Sequence, residues 1–472
     1  MNLSKDFIER TKELLGNEAL ALFSALDEPA PVSIRINPAK PAELPGTESV
    51  PWSSYGRYLD ERPAFTFDPK LHAGCYYVQE ASSMFIEQAL SEALRRLERD
   101  TVRMLDLCAA PGGKSTLAVS VLPEGSLLVA NEIIRTRANI LSENLIKWGN
   151  PDVVVTQSDP SAFSGLTGIF DILLTDVPCS GEGMFRKDPD SINEWSAENV
   201  RMCASRQRSI LEKCWTALRP GGFLIYSTCT YNTQEDEENI SWICNKLGAK
   251  LIEIPVQAEW KITGSMCEFP ISAYESNTFP VYRFFPHKTK GEGFFLALLQ
   301  KDGYAEYPFI NNKKNSTKSV KDLKKQQTAI PVNCSKLLKN SEYYSLSLDR
   351  HGHIKAFRKE HAAALRLLEE NLRVVHAGVT IGEMKGMDLL PDVSLALSTA
   401  LNISAVQTCE LDLVQAVNYL RREALVLPET CPKGWVLMLF EGHPLGWMKN
   451  IGTRANNSWP NEWRIRSENP YL

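Results

Sequence analysis

Two cysteines stand in surroundings where a thiol could do chemistry. Cys179 lies in the segment DVPCSGEG at 176–183, and Cys229 lies in STCT at 227–230. Each segment follows an apolar run with the length of a buried strand. Because the carboxyl ends of parallel strands form the ligand-binding edge of a sheet, we expect Cys179, Cys229 and Asp176 to lie close together. A single cysteine is usually only a small buried hydrophobe, so it is the grouping that indicates a function.

These residue types fit methylation of carbon 5 of a cytosine. Carbon 5 is a poor nucleophile, but addition of a thiolate to carbon 6 makes it enamine-like and able to attack a methyl donor. Asp176 would then supply or share a proton at N3, and a base would later remove the proton on carbon 5. Methylation of an exocyclic amino group needs no thiol, and the Asn/Asp-Pro-Pro-aromatic turn typical of such enzymes is absent at 176–179.

The segment LDLCAAPGGKS at 105–115 indicates a cofactor loop. An apolar run enters a turn with Gly112 and Gly113, and a helix is predicted directly after it, as in loops that bring backbone N–H groups to an anionic ligand. A phosphate-binding P-loop would need glycine where Cys108 stands, and the dinucleotide pattern G-x-G-x-x-G is also missing. A methionine-bearing adenosine cofactor is the remaining interpretation.

Two acids support this cofactor. Glu132 closes the second predicted strand, where a carboxylate can hold ribose hydroxyls, and Asp159 closes the third, where it could reach the adenine amino group. Taken singly, each acid is more often a helix cap or a surface carboxylate. Together, at the ends of successive strands, they favour a ligand site.

Alternating strands and helices are predicted between about residues 100 and 300. Such alternation implies βαβ units and therefore an α/β fold, a Rossmann-like, mostly parallel, doubly wound sheet with helices on both faces. The predicted strands are 102–107, 126–130, 153–155, 169–174, 223–226 and 294–299, and the predicted helices between them include 135–148 and 199–218.

The chain of 472 residues is longer than one hydrophobic core usually serves, so several domains are expected. The segment 311–329 is Lys-rich and has too few apolar residues to bury a core, which is typical of a linker. The predicted domains are a small N-terminal domain at 1–75, the sheet domain at 76–302, a Lys-rich linker at 303–330, an α+β middle domain at 331–400 and a terminal domain at 401–472.

Bulk properties exclude several classes of protein. No run approaches the roughly 18 apolar residues of a membrane span, so a cytoplasmic protein without membrane contact is expected. Eleven cysteines without a C-x-x-C pair argue against a disulfide framework and a zinc site. His351 and His353 lack ligand partners at suitable spacing, so no metal is predicted. The net charge of −5 does not point to a nucleic-acid partner, although it can hide local basic patches.

Taken in order, these motifs resemble the Sun-type family of RNA cytosine-5 methyltransferases. The match covers about 75–300 and also includes YVQEASSM at 77–84. The resemblance implies a class I methyltransferase core, S-adenosyl-L-methionine as cofactor, Cys229 as nucleophile and Cys179 as the residue that assists product release. It assigns to the cofactor the residues Cys108, Ala109, Ala110, Pro111, Gly112, Gly113, Lys114, Glu132, Asp159 and Asp176.

The two ends of the chain add to this resemblance. IRIN at 34–37 is similar to a small RNA-contacting domain, GVTIGE at 378–383 to a middle domain, and GWMK at 446–449 with NSWP at 457–460 to a PUA-like module. The C-terminal motifs resemble those of a bacterial subgroup of this family, and this resemblance implies action on small-subunit ribosomal RNA. This RNA, or the assembled subunit, is therefore the expected substrate. The alternatives are transfer RNA as substrate, a non-catalytic RNA-binding assembly factor, and an NTP-driven factor.

Basic residues interleaved with aromatic ones suit phosphate contact and base stacking. A cytosine whose carbon 6 meets a thiol must be single-stranded or flipped out of a helix. For the tryptophans, core packing is the commoner role, and the linker lysines are as readily a solvated charge run. The candidate RNA contacts are Arg186, Lys187, Arg283, His287, Lys288, Lys290, the linker lysines, and Lys449, Arg454, Arg464 and Arg466 beside Trp447, Trp459 and Trp463.

Overall fold

The structure is a computed structural model that describes residues 1–46, 48–268, 279–305, 330–349, 351–386 and 388–468. The Lys-rich segment predicted as a linker, 311–329, lies outside these residues.

The N-terminal region combines two helices with a small antiparallel sheet in the order β2-β3-β1-β4. The side chain of Ser4 accepts a hydrogen bond from the N–H of Phe7 and so caps the first helix, whose Phe7 and Leu15 are buried. The elements are α1 (Lys5–Leu15), α2 (Ala19–Leu26), β1 (Val32–Ile36), β2 (Glu48–Ser49), β3 (Gly56–Leu59), α3 (Pro69–Ala73) and β4 (Tyr76–Val78).

A large mixed sheet follows, built from strands that alternate with helices. Its strands up to residue 301 are β5 (Arg103–Asp106), β6 (Leu127–Asn131), β7 (Val153–Thr156), β8 (Phe170–Asp176), β9 (Leu218–Thr228), β10 (Ala249–Ile252), β11 (Tyr282–Phe284) and β12 (Phe294–Lys301). Its helices are α4 (Ile86–Leu97), α5 (Gly113–Val121), α6 (Arg135–Trp148), α7 (Ser191–Glu194), α8 (Ala197–Cys214) and α9 (Glu237–Leu247).

Five strands pair in parallel in the order β9-β8-β5-β6-β7, and β12 joins β9 antiparallel. Both β10 and β11 pair antiparallel with β12. The sheet is thus mostly parallel, and the predicted α/β fold class is confirmed. The predicted helix at 135–148 has the bounds that the structure shows for α6.

Alternate residues of each strand enter two hydrophobic cores, one on each face of the sheet. Leu105 and Leu173 pack into the core that contains residues of α8 and α9, whereas Met104 and Ile172 pack into the core that contains residues of α4, α5 and α6. This burial on both faces explains why the strands are continuous apolar runs in the sequence rather than alternating ones.

Residues 330–468 form two further four-stranded sheets, in the orders β13-β14-β16-β17 and β18-β19-β20-β21. The strands and helices of this region, of which β15 belongs to the large sheet, are β13 (Tyr344–Leu348), β14 (His353–Arg358), α10 (Ala362–Asn371), β15 (Val374–Ala377), β16 (Val379–Lys385), β17 (Asp388–Pro391), α11 (Val393–Leu397), β18 (Gln407–Glu410), α12 (Leu413–Arg421), β19 (Gly434–Phe440), β20 (His443–Asn450) and β21 (Ala455–Asn457).

Strand β15 does not belong to either C-terminal sheet, because it pairs antiparallel with β7 at the edge of the large sheet. Leu368 and Leu372, which precede it, pack into the same core as the large sheet. The predicted middle domain at 331–400 therefore does not form a core of its own throughout, since part of it completes the large sheet and covers its free edge.

The C-terminal end of α6 is the point where the regions meet. The side-chain amide of Asn37 donates to the carbonyl of Trp148 at 2.9 Å, and Lys40 Nζ donates to that of Lys147 at 2.6 Å. The N–H of Thr399 donates to the carbonyl of Gly149 at 2.9 Å. The last carbonyls of this helix, which have no partner within the helix, thus bind both the N-terminal and the C-terminal region.

Gly74→Ala should destabilise this junction strongly. Gly74 has φ +76°, and a Cβ there would lie 1.8 Å from the carbonyl oxygen of Lys147. Backbone strain and the forced displacement of α6 should together lower the free energy of unfolding by about 3 kcal/mol or more. Gly248→Ala is the matched control, because Gly248 has φ +70° but nothing within 4 Å. Equal losses in urea unfolding of the two variants would contradict the role of the junction.

Candidate active site

The two predicted cysteines meet at the carboxyl edge of the large sheet. Strands β8 and β9 pair with Asp176 opposite Ser227, so the segments that follow them leave the sheet side by side. Cys179 Sγ and Cys229 Sγ lie 3.1 Å apart, and the N–H of Cys229 donates to Cys179 Sγ at 3.4 Å. Both residues are half-buried free thiols. The hydrogen bond with Cys229, together with burial, raises the pKa of Cys179 well above its ordinary value.

Asp176 lies at the same edge, in an ion pair that the sequence did not predict. Lys114 Nζ donates to Asp176 Oδ2 at 2.6 Å, and Ser227 Oγ donates to Asp176 Oδ1 at 2.9 Å. Burial alone would lower the pKa of Lys114, but the charge of Asp176, with a smaller contribution from Cys229, raises it. The ammonium group of Lys114 is therefore held in direct contact with the acid.

The predicted cofactor loop joins β5 to α5, which begins at Gly113. Gly112 has φ +114°, and a Cβ there would lie 3.3 Å from the side chain of Leu141. The N–H of Ala109 donates to the carbonyl of Asn131 at 2.9 Å, and Asn144 Nδ2 donates to that of Pro111 at 2.7 Å. The loop is thus shaped by contacts with β6 and α6.

Asp106 is a candidate residue that the sequence argument did not assign. It is fully buried at the end of β5, where its Oδ2 accepts a hydrogen bond from Ser115 Oγ at 2.6 Å. Its Oδ1 has no hydrogen-bond partner among the described residues. Burial raises the pKa of Asp106 to about 7. An unpaired buried acceptor beneath the loop fits a ligand that brings a donor. Its position at a strand end, like that of Glu132, was the signal in the sequence.

Glu132 and Asp159 differ in their surroundings. Glu132 is buried directly after β6, where its Oε1 accepts from the N–H of Ile134 at 3.0 Å and its Oε2 lies 3.3 Å from Arg137. Asp159 is exposed, and it accepts hydrogen bonds from the N–H and the hydroxyl of Ser161 at 2.9 and 2.6 Å. The Ser161 hydrogen bonds lower the pKa of Asp159, which caps a short 3₁₀ helix. Both remain predicted cofactor contacts.

Two of the predicted RNA contacts are used inside the protein, and the prediction is wrong for them. Arg283 is 1% exposed and forms salt bridges with Asp236, at 3.2 Å, and with Glu237. The side chain of Arg186 is 5% exposed and lies 3.1 Å from Glu292. Both guanidinium groups compensate buried carboxylates, so they are not free to bind a phosphate.

The tryptophans divide in a similar way. Trp459 and Trp447 are buried in hydrophobic clusters, so core packing is their role, whereas Trp463 is only partly buried. Lys187, Arg454, Arg464 and Arg466 are exposed, and they remain candidate RNA contacts. Of the others, Lys449 is half-buried, His287 and Lys288 lie near Glu18, and Lys290 pairs with Glu48.

Within the described ranges, no group of His, Cys, Asp and Glu side chains could hold a metal ion. In the same part of the chain, no helix has the length and apolar character needed to cross a membrane.

A Rossmann-like sheet with a glycine loop after its first parallel strand and two cysteines at adjacent strand ends defines a class I methyltransferase. Three family models match the chain. The 16S rRNA methyltransferase RsmB/F model covers residues 92–300, the N-terminal domain of 16S rRNA methyltransferase RsmF covers 3–81, and the methyltransferase RsmF PUA domain covers 406–465.

Relatives match along most of the chain. Ribosomal RNA small subunit methyltransferase F of Aliivibrio fischeri (strain MJ11) is 30% identical over 430 residues, which are 88% of this chain and 85% of the relative. The protein of the same name from Salmonella typhi is 30% identical over 93% of this chain and 91% of its own length. The chain belongs to this RsmF-like group of the Sun-type RNA methyltransferases, which confirms the predicted family and the predicted enzyme class.

Solved structures agree with the fold. A methyltransferase homolog protein from Pyrococcus horikoshii is 25% identical, with a TM-score of 0.51, over 63% of this chain and 95% of its own. NSun6 from the same organism, solved with SFG, has a TM-score of 0.51 at 22% identity and supports the fold alone. None of these comparisons assigns individual site residues, so the predicted residues rest on the geometry.

The buried Asp106 should make stability depend on pH. Its pKa rises from 3.8 to about 7 on folding, so the folded protein binds more protons than the unfolded chain within this window. The free energy of unfolding should therefore fall as the pH rises from 3.8 to about 7 and then level off. Asp106→Asn should remove up to about 4 kcal/mol of this fall in urea unfolding without cofactor. Asp159→Asn should retain the fall in the free energy of unfolding between these pH values. If Asp106→Asn had the same pH dependence as the wild type, the effect of burying Asp106 would be contradicted.

Proposed function

We propose that this protein methylates carbon 5 of a cytosine in small-subunit ribosomal RNA, with S-adenosyl-L-methionine as methyl donor and Cys229 as nucleophile. The observation that carries the proposal is the contact of Cys179 and Cys229 at 3.1 Å beside the Lys114–Asp176 pair. A thiol pair, an acid and an ammonium group at one strand edge are the groups that this reaction needs.

The residues around the loop fit the proposed cofactor. The start of α5 at Gly112 and Gly113 has no side-chain cap, and Oδ1 of Asp106 offers an unpaired acceptor. Residues 108–114 would hold the amino-acid part, Glu132 the ribose hydroxyls and Asp159 the adenine amino group. When bound, the cofactor supplies the electrophilic methyl group that carbon 5 attacks.

The first step belongs to Cys229 and its charged neighbours. Cys229 first gives its thiol proton to solvent, which is the one proton that the overall reaction releases, and acts as the thiolate nucleophile. Cys229 Sγ then forms a bond to carbon 6, and the electron pair of the ring moves toward N3. Lys114 Nζ donates to Asp176 Oδ2 at 2.6 Å, and this pair can deliver a proton to N3 as the charge develops there.

The last step belongs to Cys179. Its thiol is in contact with Cys229 Sγ, so it can give its proton to that sulfur as the bond to carbon 6 breaks. The Cys179 thiolate that results takes the proton from carbon 5, and the electron pair of that bond restores the ring double bond. N3 returns its proton to the Lys114–Asp176 pair. The methylated base leaves, and both cysteines end the cycle uncharged.

The RNA substrate rests on the relatives and on the domains. The relatives named above are small-subunit ribosomal RNA methyltransferases, and a PUA-domain model matches residues 406–465. The target cytosine must leave its stack to reach the edge of the sheet, which costs a few kcal/mol that contacts in the site recover. Transfer RNA is the second candidate substrate, since the same site chemistry would serve it.

Cys229→Ala should abolish methylation. Without the thiolate, carbon 5 is not activated, and turnover should fall by at least about 10³-fold. The assay is 5-methylcytosine formation in small-subunit ribosomal RNA with labelled cofactor, followed by bisulfite sequencing to locate the base. Cys244 is a buried cysteine on α9, and Cys244→Ala should keep wild-type activity. Full activity of Cys229→Ala would exclude the mechanism, and activity on transfer RNA alone would replace the substrate.

Cys179→Ala should trap the reaction after methyl transfer. Removal of the proton relay leaves the bond between Cys229 and carbon 6 intact, so a covalent protein–RNA complex should accumulate. The complex is measured as a band that survives denaturing electrophoresis and disappears in the double variant Cys179→Ala/Cys229→Ala. Free methylated RNA released at the wild-type rate would show that Cys179 has no part in release.

A further inference from the structure

The two segments that carry the cysteines are held together by a carboxylate from each. Glu182 follows Cys179 along the chain, and its Oε2 accepts hydrogen bonds from Thr230 Oγ1 at 2.7 Å and from the N–H of Tyr231 at 2.8 Å. Both donors follow Cys229. The N–H of Gly183 also donates to the carbonyl of Cys229 at 2.9 Å. The segment of Cys179 thus binds the carbonyl of Cys229 and the two residues that follow Cys229.

The reverse contact comes from Glu235, which follows Cys229. Its Oε2 accepts from the N–H of Ser180, the residue after Cys179, at 3.0 Å. Asn232 Nδ2 donates to the other oxygen of Glu235 at 2.8 Å, and Gln207 Nε2 on α8 donates to Oε2 at 2.7 Å. We call these two carboxylates, Glu182 and Glu235, the reciprocal clamp.

Burial of the two carboxylates of the reciprocal clamp costs free energy that the fold alone does not require. Glu182 is 2% and Glu235 is 0% exposed, and within the described residues neither forms a salt bridge. Burial raises the pKa of Glu235. Carboxylates buried with neutral donors alone lose their hydration without gaining an ion pair. The register of β8 and β9 ends at Asp176 and Ser227, and the contacts of the reciprocal clamp join the two segments beyond that point.

We propose that Glu182 and Glu235 are positioning residues that hold the Cys179 and Cys229 thiols in contact for the proton relay that releases the product. The proposal rests on the proposed function of the two cysteines, but its geometric part is independent of that function. Neither carboxylate is assigned to the substrate or the cofactor.

The first test measures the thiol contact without any substrate. Diamide takes up two hydrogen atoms as two thiols join, so the rate at which Cys179 and Cys229 form a disulfide reports how often they meet. The cross-linked peptide is quantified by mass spectrometry. We expect Glu182→Gln and Glu235→Gln to slow this reaction by about tenfold or more. The NH2 group of the glutamine cannot accept the hydrogen bonds that donors make to the carboxylate oxygen it replaces.

The second test measures catalysis in the same variants. A shift of the thiols by about 1 Å should lower kcat by tenfold or more, while KM for RNA and for the cofactor changes less than about threefold. The covalent protein–RNA complex should accumulate as in Cys179→Ala. Thr230→Val, which removes one donor to Glu182 with little change of volume, should shift both readouts in the same direction by a smaller factor, and it covers the case in which a glutamine variant does not fold.

Glu87→Gln is the matched control. Glu87 is also a buried carboxylate, and it accepts from Ser53 Oγ at 2.7 Å and from the N–H of Ser54 at 2.9 Å, away from both cysteine segments. It should lower the melting temperature while leaving the disulfide rate and kcat unchanged. Wild-type disulfide rates in Glu182→Gln and Glu235→Gln would overturn the proposal. Slow disulfide formation together with full activity of Cys229→Ala would instead retain the positioning role and overturn the proposed function.

Discussion

The parallel pairing of β8 with β9 is the constraint on which the rest of the site depends. Its register sets Asp176 opposite Ser227, so the segments that carry the two cysteines begin side by side. Burial holds this register, since Leu173 packs into the core on one face of the sheet and Leu174 into the core on the other. A slip by one residue would exchange the faces of every side chain and turn Asp176 away from its partners.

Charge pairing stabilises three of the acids near the carboxyl edge of the sheet. Lys114 compensates Asp176, and Arg283 compensates Asp236 and Glu237 behind the Cys229 segment. The same need removes Arg283 from the surface, because leaving two carboxylates buried and unpaired would cost more than a surface contact contributes. Positive charge at this site therefore serves first to pair with these acids.

The cofactor loop depends on the N-terminal region as well as on the sheet. Arg35 of β1 is fully buried, and its guanidinium carbon lies 4.4 Å from the ring centre of Trp148. The guanidinium group donates hydrogen bonds to Thr116 Oγ1 at 2.6 Å and to the carbonyl of Gly113 at 3.3 Å. Burial lowers the pKa of Arg35 to about 9. The IRIN segment, which the sequence suggested for RNA contact, thus uses its arginine to anchor the first turns of α5.

By itself, the sequence determined the features that local patterns carry. The apolar runs and helical periodicity identified the α/β sheet, and the motifs at 105–115, 176–183 and 227–230 identified the loop and the cysteine segments. Only the tertiary structure decided that Lys114 faces Asp176, that Arg186 and Arg283 are buried, and that strand β15 joins the large sheet. The reason is physical: these outcomes depend on pairing and burial between residues far apart in the chain, which no local period or spacing encodes.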